Sequence, residues 1–304
     1  MRMSALRQIA MGLGLALLLA GTACATPPTP MLWKATKGGT TIYLLGSLHI
    51  LLASDYPLSK DVDDAYRQAA RLVFEVPPAD MSPIAAMGPT AKYGMYLTAD
   101  KSLHGDLDPA LWQRLSAYAS QNGLSAGVVD RMRPWLAALT VFAVELKKLG
   151  YDPDSGLDKH FMDQALADHK ATGGFETIEQ QMQILSSTTK SDQVHDLTEM
   201  LDKLPEFPSE MGRLHGSWRN GDTAAMYREE IKEFKGHPEA ERKLLEDRNH
   251  AWIPKIEQMV ASNPGDMLVI VGALHMLGPE GLVHLLQQEG YKVERVCTGC
   301  NNIH

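Results

Sequence analysis

The stretch YLLGSLHI occupies residues 43–50, and IVGALHML occupies residues 270–277. In each, a run of apolar residues ends in a glycine, and a histidine follows three positions later. Unbroken apolar runs are typical of strands buried on both faces of a parallel sheet. A glycine lets the backbone leave the strand sharply and lets another group approach closely. The repetition predicts that strands from opposite ends of the chain share one sheet, with His49 and His275 at its carboxyl edge.

The residues before His49 predict a β-hairpin. Leu32 to Thr36 and Thr40 to Gly46 are rich in apolar and β-branched residues, which favours two strands. Gly38 and Gly39 lie between them, where a tight turn is required.

The residues after His49 predict a helix and a buried strand. SKDVDDAYRQAA (59–70) has helical spacing behind a Ser59 cap, and RLVFEV (71–76) reads as a short strand that closes with Glu75. Strand, helix and strand together predict a βαβ unit.

The second half of the sheet is expected near the end of the chain. DMLVIVGALHML (266–277) predicts a buried strand, PEGLVHLLQQEG (279–290) a helix, and YKVERV (291–296) a last strand. Between Leu107 and Ser262 the spacing of apolar residues is helical, and no strand of useful length is expected there.

These elements predict an α/β (α+β) fold with a central mixed sheet built from both ends of the chain. A large helical insertion is expected to cover one edge of that sheet. The expected domain spans residues 26–304, with sheet halves at 26–106 and 263–304 and a helical segment at 107–262.

Composition excludes one class of partner. The 304 residues are 44% hydrophobic, which permits a sizeable core. The formal net charge is −8, and no basic stripe restores a positive surface locally. Nucleic-acid binding normally needs such a surface, so nucleic acid is not expected as a partner.

The first 25 residues predict a secretory signal peptide. MRMSALRQIAMGLGLALLLAGTACA combines early arginines, an apolar stretch and small residues before a cleavage point after Ala25. The apolar stretch is about a dozen residues, against roughly 20 for a membrane span, so no stable span is expected. A lipoprotein anchored at Cys24 is the alternative, disfavoured because Gly21 stands where such signals carry leucine. The mature protein is expected to be periplasmic or secreted.

Cys297 and Cys300 form a CTGC segment close to the end of the chain. In an oxidising compartment a local disulfide is the favoured interpretation. Two alternatives stay open at this point. One is a redox pair, which would normally begin a helix; the other is a metal site that includes His304 and lacks a fourth ligand.

The strand ends offer a candidate metal site. Glu75 closes an apolar strand, where a carboxylate needs a partner or a metal. Two imidazoles and a carboxylate form a donor set that suits a divalent ion such as Mn²⁺, Co²⁺ or Zn²⁺. The sequence therefore predicts that His49, Glu75 and His275 hold one metal ion; the alternative is that they are unrelated core or loop residues.

The chain resembles the TraB/GumN family, which is related to the Tiki metalloproteases and more distantly to the erythromycin esterase and ChaN-like groups. The resemblance covers nearly the whole predicted mature chain, in the segments YLLGSLHI, LVFEV, GLDKHFMDQA, GFETIEQQMQIL, GSWRNGDTAAM, LLEDRNHAWIPKIEQM and VIVGALHMLGPEGLVHLLQQEGYKVERV. It implies a metal-dependent hydrolase scaffold with His49, Glu75 and His275 at the metal positions. It also implies functional roles for Arg248, Asn249 and Glu176.

Each of these further residues has a chemical interpretation. Arg248 can bind a substrate carboxylate or an oxyanion, and Asn249 can donate to a carbonyl or orient a ligand. Glu176 can act as a general base, unless Glu75 does so without binding metal. The alternative for Arg248 and Asn249 is a solvated helix face with Trp252 packed inward.

The expected function is that of a secreted metal-dependent hydrolase that cleaves peptide or amide bonds. Its partner would be a peptide or small-molecule substrate. Two alternatives stay open: a non-catalytic protein that binds a peptide, pheromone or other ligand, and a small-molecule esterase. The sequence does not predict the oligomeric state.

Overall fold

The computed structural model describes residues 26–262 and 265–298. The predicted signal peptide, Cys24, Cys300 and His304 lie outside the described residues. Within them, no helix is both long and apolar enough to cross a bilayer.

In the described residues six strands form a single mixed sheet; the sequence predicts the mixed sheet and five of these strands. The six strands are β1 (Leu32–Lys37), β2 (Thr40–Ser47), β3 (Arg71–Phe74), β4 (Ala171–Gly174), β5 (Met267–Gly272) and β6 (Lys292–Arg295). Their order is β4-β3-β5-β2-β1-β6. Strands β2, β5, β3 and β4 pair in parallel, whereas β1 is antiparallel to both β2 and β6. The α/β class and the mixed sheet are therefore confirmed.

The predicted hairpin is confirmed with its turn. Gly38 and Gly39 have φ angles of 60° and 88°. Positive φ at both central residues is the requirement of a type I′ turn, which glycine meets without strain. Lys37 pairs with Thr40 across this turn, which fixes the register of β1 on β2.

Strand β5 lies at the centre of the sheet, between β2 and β3. Residues Leu268 to Val271 are completely buried, which explains their unbroken apolar sequence. Burial of each such side chain stabilises the fold by roughly 1.5–3 kcal/mol. Ser47 pairs with Gly272 and Phe74 pairs with Ile270, so the carboxyl ends of the three strands lie side by side.

Helices make up most of the described chain outside the sheet. They are α1 (Lys60–Gln68), α2 (Pro83–Gly94), α3 (Leu103–Asp106), α4 (Pro109–Gln121), α5 (Ala126–Val129), α6 (Pro134–Lys148), α7 (Leu157–Ala167), α8 (Ile178–Leu185), α9 (Lys190–Asp202), α10 (Phe207–Arg219), α11 (Thr223–Glu233), α12 (Pro238–Glu241), α13 (Asp247–Ser262) and α14 (Leu282–Gln288). Helix α1 begins after Ser59, as predicted. A π-helical turn, Arg242–Glu246, joins α12 to α13 without a break.

Strand β4 corrects the expectation that residues 107–262 contain no strand. The segment Ala171–Gly174 pairs in parallel with β3 at the edge of the sheet. Its sequence, ATGG, carries two glycines and no large apolar residue, so it gives no local signal for a strand. Gly174 approaches the backbone of Pro77 so closely that a Cβ atom would lie 2.4 Å from its nitrogen. Tertiary contact, and not propensity, makes this segment a strand.

The loop after His49 is held by a buried carboxylate. Asp55 is completely buried, and its carboxylate accepts hydrogen bonds from the Leu52 N–H (2.9 Å) and from His215 Nε2 (2.8 Å). Arg219 forms an ion pair with the same carboxylate. The loop is thereby fixed to helix α10, which carries both partners.

Cys297 is disulfide-bonded, in agreement with the predicted oxidised state. The next residue, Thr298, donates from its N–H and from Oγ1 to the Asp61 carboxylate at 2.6 Å each. These bonds fix the segment after β6 to the first turn of α1.

Candidate functional site

The two G-x-x-H motifs and Glu75 meet at the carboxyl edge of the sheet. His49 Nε2 lies 3.7 Å from Glu75 Oε1, and His275 Nε2 lies 3.8 Å from the same oxygen. Because β2, β3 and β5 are parallel neighbours, side chains that follow their ends converge. The structure therefore brings together the three residues that the sequence predicts as metal ligands.

Gly272 lies next to all three of these side chains. A Cβ atom there would lie 3.3 Å from Glu75 Oε1, 3.5 Å from His49 Nε2 and 3.6 Å from His275 Cδ2. The glycine therefore keeps a small space between the two rings and the carboxylate. Gly46 has a different role, because a Cβ atom there would crowd Ala273 Cα at 3.1 Å.

Asp158 orients His49. Its Oδ2 lies 2.8 Å from His49 Nδ1 and accepts the ring proton, while Ser47 Oγ donates to both carboxylate oxygens at 3.0 and 2.9 Å. The His49 side chain is 60% exposed, so this site opens to solvent on its side. The Asp158 charge raises the pKa of His49 to about 9. Nε2, the nitrogen that Asp158 does not contact, points toward Glu75.

The start of α7 is fitted closely against the first motif. Leu157 N–H donates to Leu48 O at 3.1 Å. Gly156, the residue before the helix, is so near the His49 carbonyl that a Cβ atom would lie 2.0 Å from its oxygen. Asp158 is therefore placed by backbone contacts, which position its carboxylate beside Nδ1 of His49.

Asn249 orients His275 in the same way. Asn249 Oδ1 accepts from His275 Nδ1 at 2.7 Å, and its Nδ2 donates to Glu280 O at 2.8 Å. The His275 side chain is only 4% exposed. Burial lowers the pKa of His275 to about 3, against the pull of Glu75. The ring is therefore neutral, with its proton on Nδ1 and its lone pair on Nε2.

Glu75 is charged although it is buried. Burial alone would raise the pKa of its carboxyl group, but nearby His275, His49 and Arg248 hold that pKa well below its usual range. Gly272 N–H adds a hydrogen bond of 2.8 Å to Oε1. A carboxylate in this state is a good ligand for a cation and a weak base.

Arg248 uses all five of its N–H donors within the chain. Nε donates to Glu176 Oε1 (2.9 Å), and Nη2 donates to Glu176 Oε2 (3.0 Å) and Glu75 Oε2 (2.6 Å). Nη1 donates to Leu244 O (2.9 Å) and to His275 Nε2 (3.0 Å). The guanidinium therefore joins two carboxylates to the second motif, and an oxyanion would have to replace one of these acceptors.

Glu176 is held in place on two sides. Besides Arg248, Trp252 Nε1 donates to Oε1 at 2.9 Å. Glu176 N–H donates to the backbone carbonyl of Glu75 at 2.8 Å, just after β4, so the two carboxylates begin from paired strands. The geometry favours Glu176 as the residue that orients Arg248; its role as a general base stays a prediction. Trp252 is completely buried, as its predicted inward packing requires.

Sequence reasoning missed three residues of this site. Asp158 contacts His49, Ser47 donates to Asp158, and Gln181 Nε2 donates to Glu75 Oε2 at 3.1 Å. Ser47 lies inside the first motif, but Ala273 takes its place in the second. Asp158 is one of several acidic residues in first helical turns, and Gln181 is one glutamine in EQQMQ, so neither gives a distinct signal.

A cavity of about 410 Å³ adjoins the other side of this cluster. Glu176, Arg248 and Trp252 form part of its wall, together with Ile184, Lys243 and Lys255. Neither histidine nor Glu75 lines it. The cavity and the imidazole pair are therefore separated by the Arg248 to Glu176 ion pair.

Comparison with known proteins gives a family. The sequence model of the TraB/PrgY/gumN family matches residues 31–295. The chain is 24% identical over 260 residues to an uncharacterized protein, YbaP, of Escherichia coli (strain K12), a match that covers 82% of this chain and 89% of that protein. The YbaP protein of Shigella flexneri matches with the same identity and coverage. The search of solved structures gives no significant match. Since the family match covers most of the chain, this protein belongs to the TraB/PrgY/gumN family.

Proposed function

We propose that this protein is a metal-dependent hydrolase that cleaves peptide or amide bonds. One observation carries the proposal: both imidazoles have Nδ1 fixed by an acceptor and turn Nε2 toward one buried carboxylate oxygen. Histidine ligands of metal ions in proteins commonly show this pattern, in which a partner on one nitrogen fixes the ring and leaves the other free to bind.

The residues present fit a divalent ion such as Zn²⁺, Mn²⁺ or Co²⁺. Two imidazole nitrogens and one carboxylate form an accepted donor set with open positions, and the ion would displace the proton that the raised pKa of His49 leaves on its ring. The space above Gly272 lies among these atoms. Glu75, Glu176 and Asp158 carry more negative charge than Arg248 and the protonated His49 neutralise, and a divalent cation that displaces the His49 proton would balance it.

One contact must change for the ion to bind. The Nε2 lone pair of His275 accepts the hydrogen bond from Arg248 Nη1, and one lone pair serves one partner. Nη1 belongs to a rigid planar guanidinium, so the whole group would have to shift, and its bonds to Glu176 would change as well. The N–H that had bound His275 would then be free, which fits the predicted role of Arg248 toward an oxyanion.

A bound divalent cation supplies Lewis-acid chemistry to a scissile carbonyl. The chain itself supplies orientation and charge. Asp158 and Asn249 hold the two rings, Glu75 keeps a full negative charge, and Glu176 fixes the plane of Arg248. A substrate would approach from the side of His49, because that ring is the exposed member of the pair.

The test begins with purified protein that has been stripped with a chelator and reloaded with Mn²⁺, Co²⁺ or Zn²⁺. A peptide library analysed by mass spectrometry should show cleavage that depends on the added metal and is absent in His275→Ala. His284→Ala is a matched control, since His284 is an exposed residue of α14. Cleavage that persists after complete removal of metal would contradict the proposal.

A ligand-binding function is the second candidate, and the 410 Å³ cavity favours it. Its wall contains the ion-paired Arg248 but none of the imidazole atoms. Saturable binding of a peptide without turnover, in every metal-loaded form, would support this function over hydrolysis. Turnover of small esters without peptide cleavage would instead support an esterase.

We also propose that the protein is exported by the signal peptide predicted in residues 1–25. The intact mass of protein recovered from the periplasm or medium should correspond to a chain that starts at Thr26. A mass that includes lipid on Cys24 would show a lipoprotein instead.

A further inference from the structure

A second group of metal-ligand type lies away from the sheet edge. His195 and Glu199 are four positions apart on α9, and His237 immediately precedes α12. One ligand atom from each residue lies within 4.8 Å of the other two. None of the three belongs to the site described above.

The spacing of these atoms is close to what a metal needs. His195 Nε2 and Glu199 Oε2 are 4.0 Å apart, too far for a hydrogen bond. With zinc bonds of about 2.0–2.2 Å in a tetrahedral arrangement, ligand atoms are separated by about 3.3–3.5 Å. Small changes in side-chain torsion angles would bring these two atoms to the separation that zinc needs. Such changes are possible because the side chain of His195 is 55% exposed and that of Glu199 is 45% exposed.

The elements that carry these residues are well defined. Residues i and i+4 lie on one face of a helix, which directs His195 and Glu199 to the same side of α9. The carbonyl of His237 accepts from Ala240 N–H (3.0 Å) and Glu241 N–H (3.2 Å), which fixes its backbone at the start of α12. Its ring already stacks on that of His195, with centroids 5.6 Å apart.

One cation competes for this position. Lys203 Nζ lies 3.5 Å from Glu199 Oε1, on the other oxygen of the carboxylate. Exposed pairs of this kind contribute only about 0–1 kcal/mol, and this pair leaves Oε2 for another partner.

We propose that His195, Glu199 and His237 bind a Zn²⁺ ion that joins α9 to the start of α12. The proposal is independent of the hydrolase function, because it rests on different residues. Its consequence is mechanical. The helix from Pro238 continues through the π-helical turn into α13 without a break, and α13 carries Arg248 and Asn249. Zinc at its start would fix this helix against α9, about 16 Å along the axis from Arg248.

The test counts zinc ions per chain by equilibrium dialysis and elemental analysis. The double variant His195→Ala/His237→Ala should bind one equivalent less than the wild type, whereas His284→Ala should bind the wild-type amount. The variant His49→Ala/His275→Ala should keep the equivalent that His195 and His237 hold. If the sheet-edge site binds no metal, the wild type would bind one equivalent and His195→Ala/His237→Ala none, so the two proposals fail separately.

A second measurement is the rate of amide hydrogen exchange in the helix that begins at Pro238. Zinc should slow amide hydrogen exchange in residues 238–248 of the wild type, with no such effect in His195→Ala/His237→Ala. Without zinc, the melting temperatures of the two proteins should differ little, because His195 is exposed and His237 is only half-buried. Equal zinc content and equal exchange in the double variant and in His284→Ala would overturn the proposal.

Discussion

The Nδ1 atom of His275 lies 2.7 Å from Oδ1 of Asn249, which links the end of β5 to helix α13. Both groups are buried, so this hydrogen bond fixes the ring without competition from water. The pair was predicted only as two separate members of a site. Their contact gives Asn249 a definite task, which is to hold the proton on the nitrogen that faces away from Glu75.

Asn249→Ala should weaken metal binding about 10–100-fold, the usual effect of losing the partner that orients a ligand. It should also lower the free energy of unfolding by about 1–3 kcal/mol, because a buried N–H loses its acceptor. Asn249→Asp keeps an acceptor at that position and should retain more of the affinity. Metal titration and urea unfolding measure both effects, and equal affinity in the alanine variant and the wild type would contradict the assignment.

Asp158→Ala should weaken metal binding by a similar factor, because His49 would lose the partner that holds its ring. Ser47→Ala should have a smaller effect, since it removes a bond to Asp158 and leaves the one to His49. The N–H proton shared by His49 and Asp158 should give a far-downfield NMR resonance that disappears in Asp158→Ala. If the resonance stayed in that variant, Asp158 would not be the acceptor.

Arg248→Ala should destabilise the metal-free protein by about 3–5 kcal/mol, because it removes the guanidinium that is paired with the buried Glu75 and Glu176 carboxylates. Arg213→Ala is the matched control. Arg213 is about half exposed and lies 3.9 Å from its acidic partners, so the loss should stay below about 1 kcal/mol. Divalent metal should recover part of the stability in Arg248→Ala. Equal losses of unfolding free energy in the two variants would show that the buried ion pairs of Arg248 stabilise the protein no more than the exposed ion pairs of Arg213.

His49→Ala and His275→Ala should each remove most of the metal bound at the sheet edge, and the double variant should add little further loss. Without metal the two should differ, because His275 is buried and His49 is largely exposed. His275→Ala should therefore melt lower than His49→Ala in the presence of chelator. Sheet-edge occupancy that remained full in either single variant would rule out a shared ion.

The buried Asp55 carboxylate should make stability depend on acid pH. Burial raises the pKa of Asp55, but hydrogen bonds from His215, Leu52 and Arg219 outweigh it and leave that pKa below the ordinary value of 3.8. The Asp55 carboxylate therefore makes its full contribution to the free energy of unfolding above pH 3.8. This contribution is lost as the pH falls through the pKa that Asp55 has in the folded protein, which is lower than 3.8. Asp55→Asn should be less stable than the wild type at neutral pH, and the difference should shrink in acid. Urea unfolding at several pH values measures the difference in the free energy of unfolding between the wild type and Asp55→Asn. A difference that stays constant with pH would show that the charge of Asp55 contributes nothing.

The sequence predicted those parts of the fold that have a local cause. The turn at Gly38-Gly39, the cap before α1 and the apolar run of β5 each reflect the conformational or burial preference of the residues concerned. Strand β4 has no such cause, because Ala171–Gly174 becomes a strand only through pairing with β3. Its position in turn brings Glu176 beside Glu75, so the missed strand is also part of the site.

The candidate metal ligands His49, Glu75 and His275 were predictable because the end of a strand limits where a side chain can point. The residues that orient them were not, since Asp158 and His49 are 109 positions apart and Asn249 and His275 are 26 apart. The local sequence does not indicate which acidic residue of a helical segment will hydrogen-bond to a given histidine ring. The family resemblance indicated Asn249, Arg248 and Glu176, whereas the role of Asp158 is evident only from the structure.

The central place of β5 also sets an order for assembly during synthesis. Strand β5 separates β2 from β3, so a growing polypeptide that has not yet reached Met267 cannot bring His49 and Glu75 to their final separation. The ribosome must therefore have passed His275 before the sheet edge that carries both histidines can form, and fragments that end before Met267 should lack this edge.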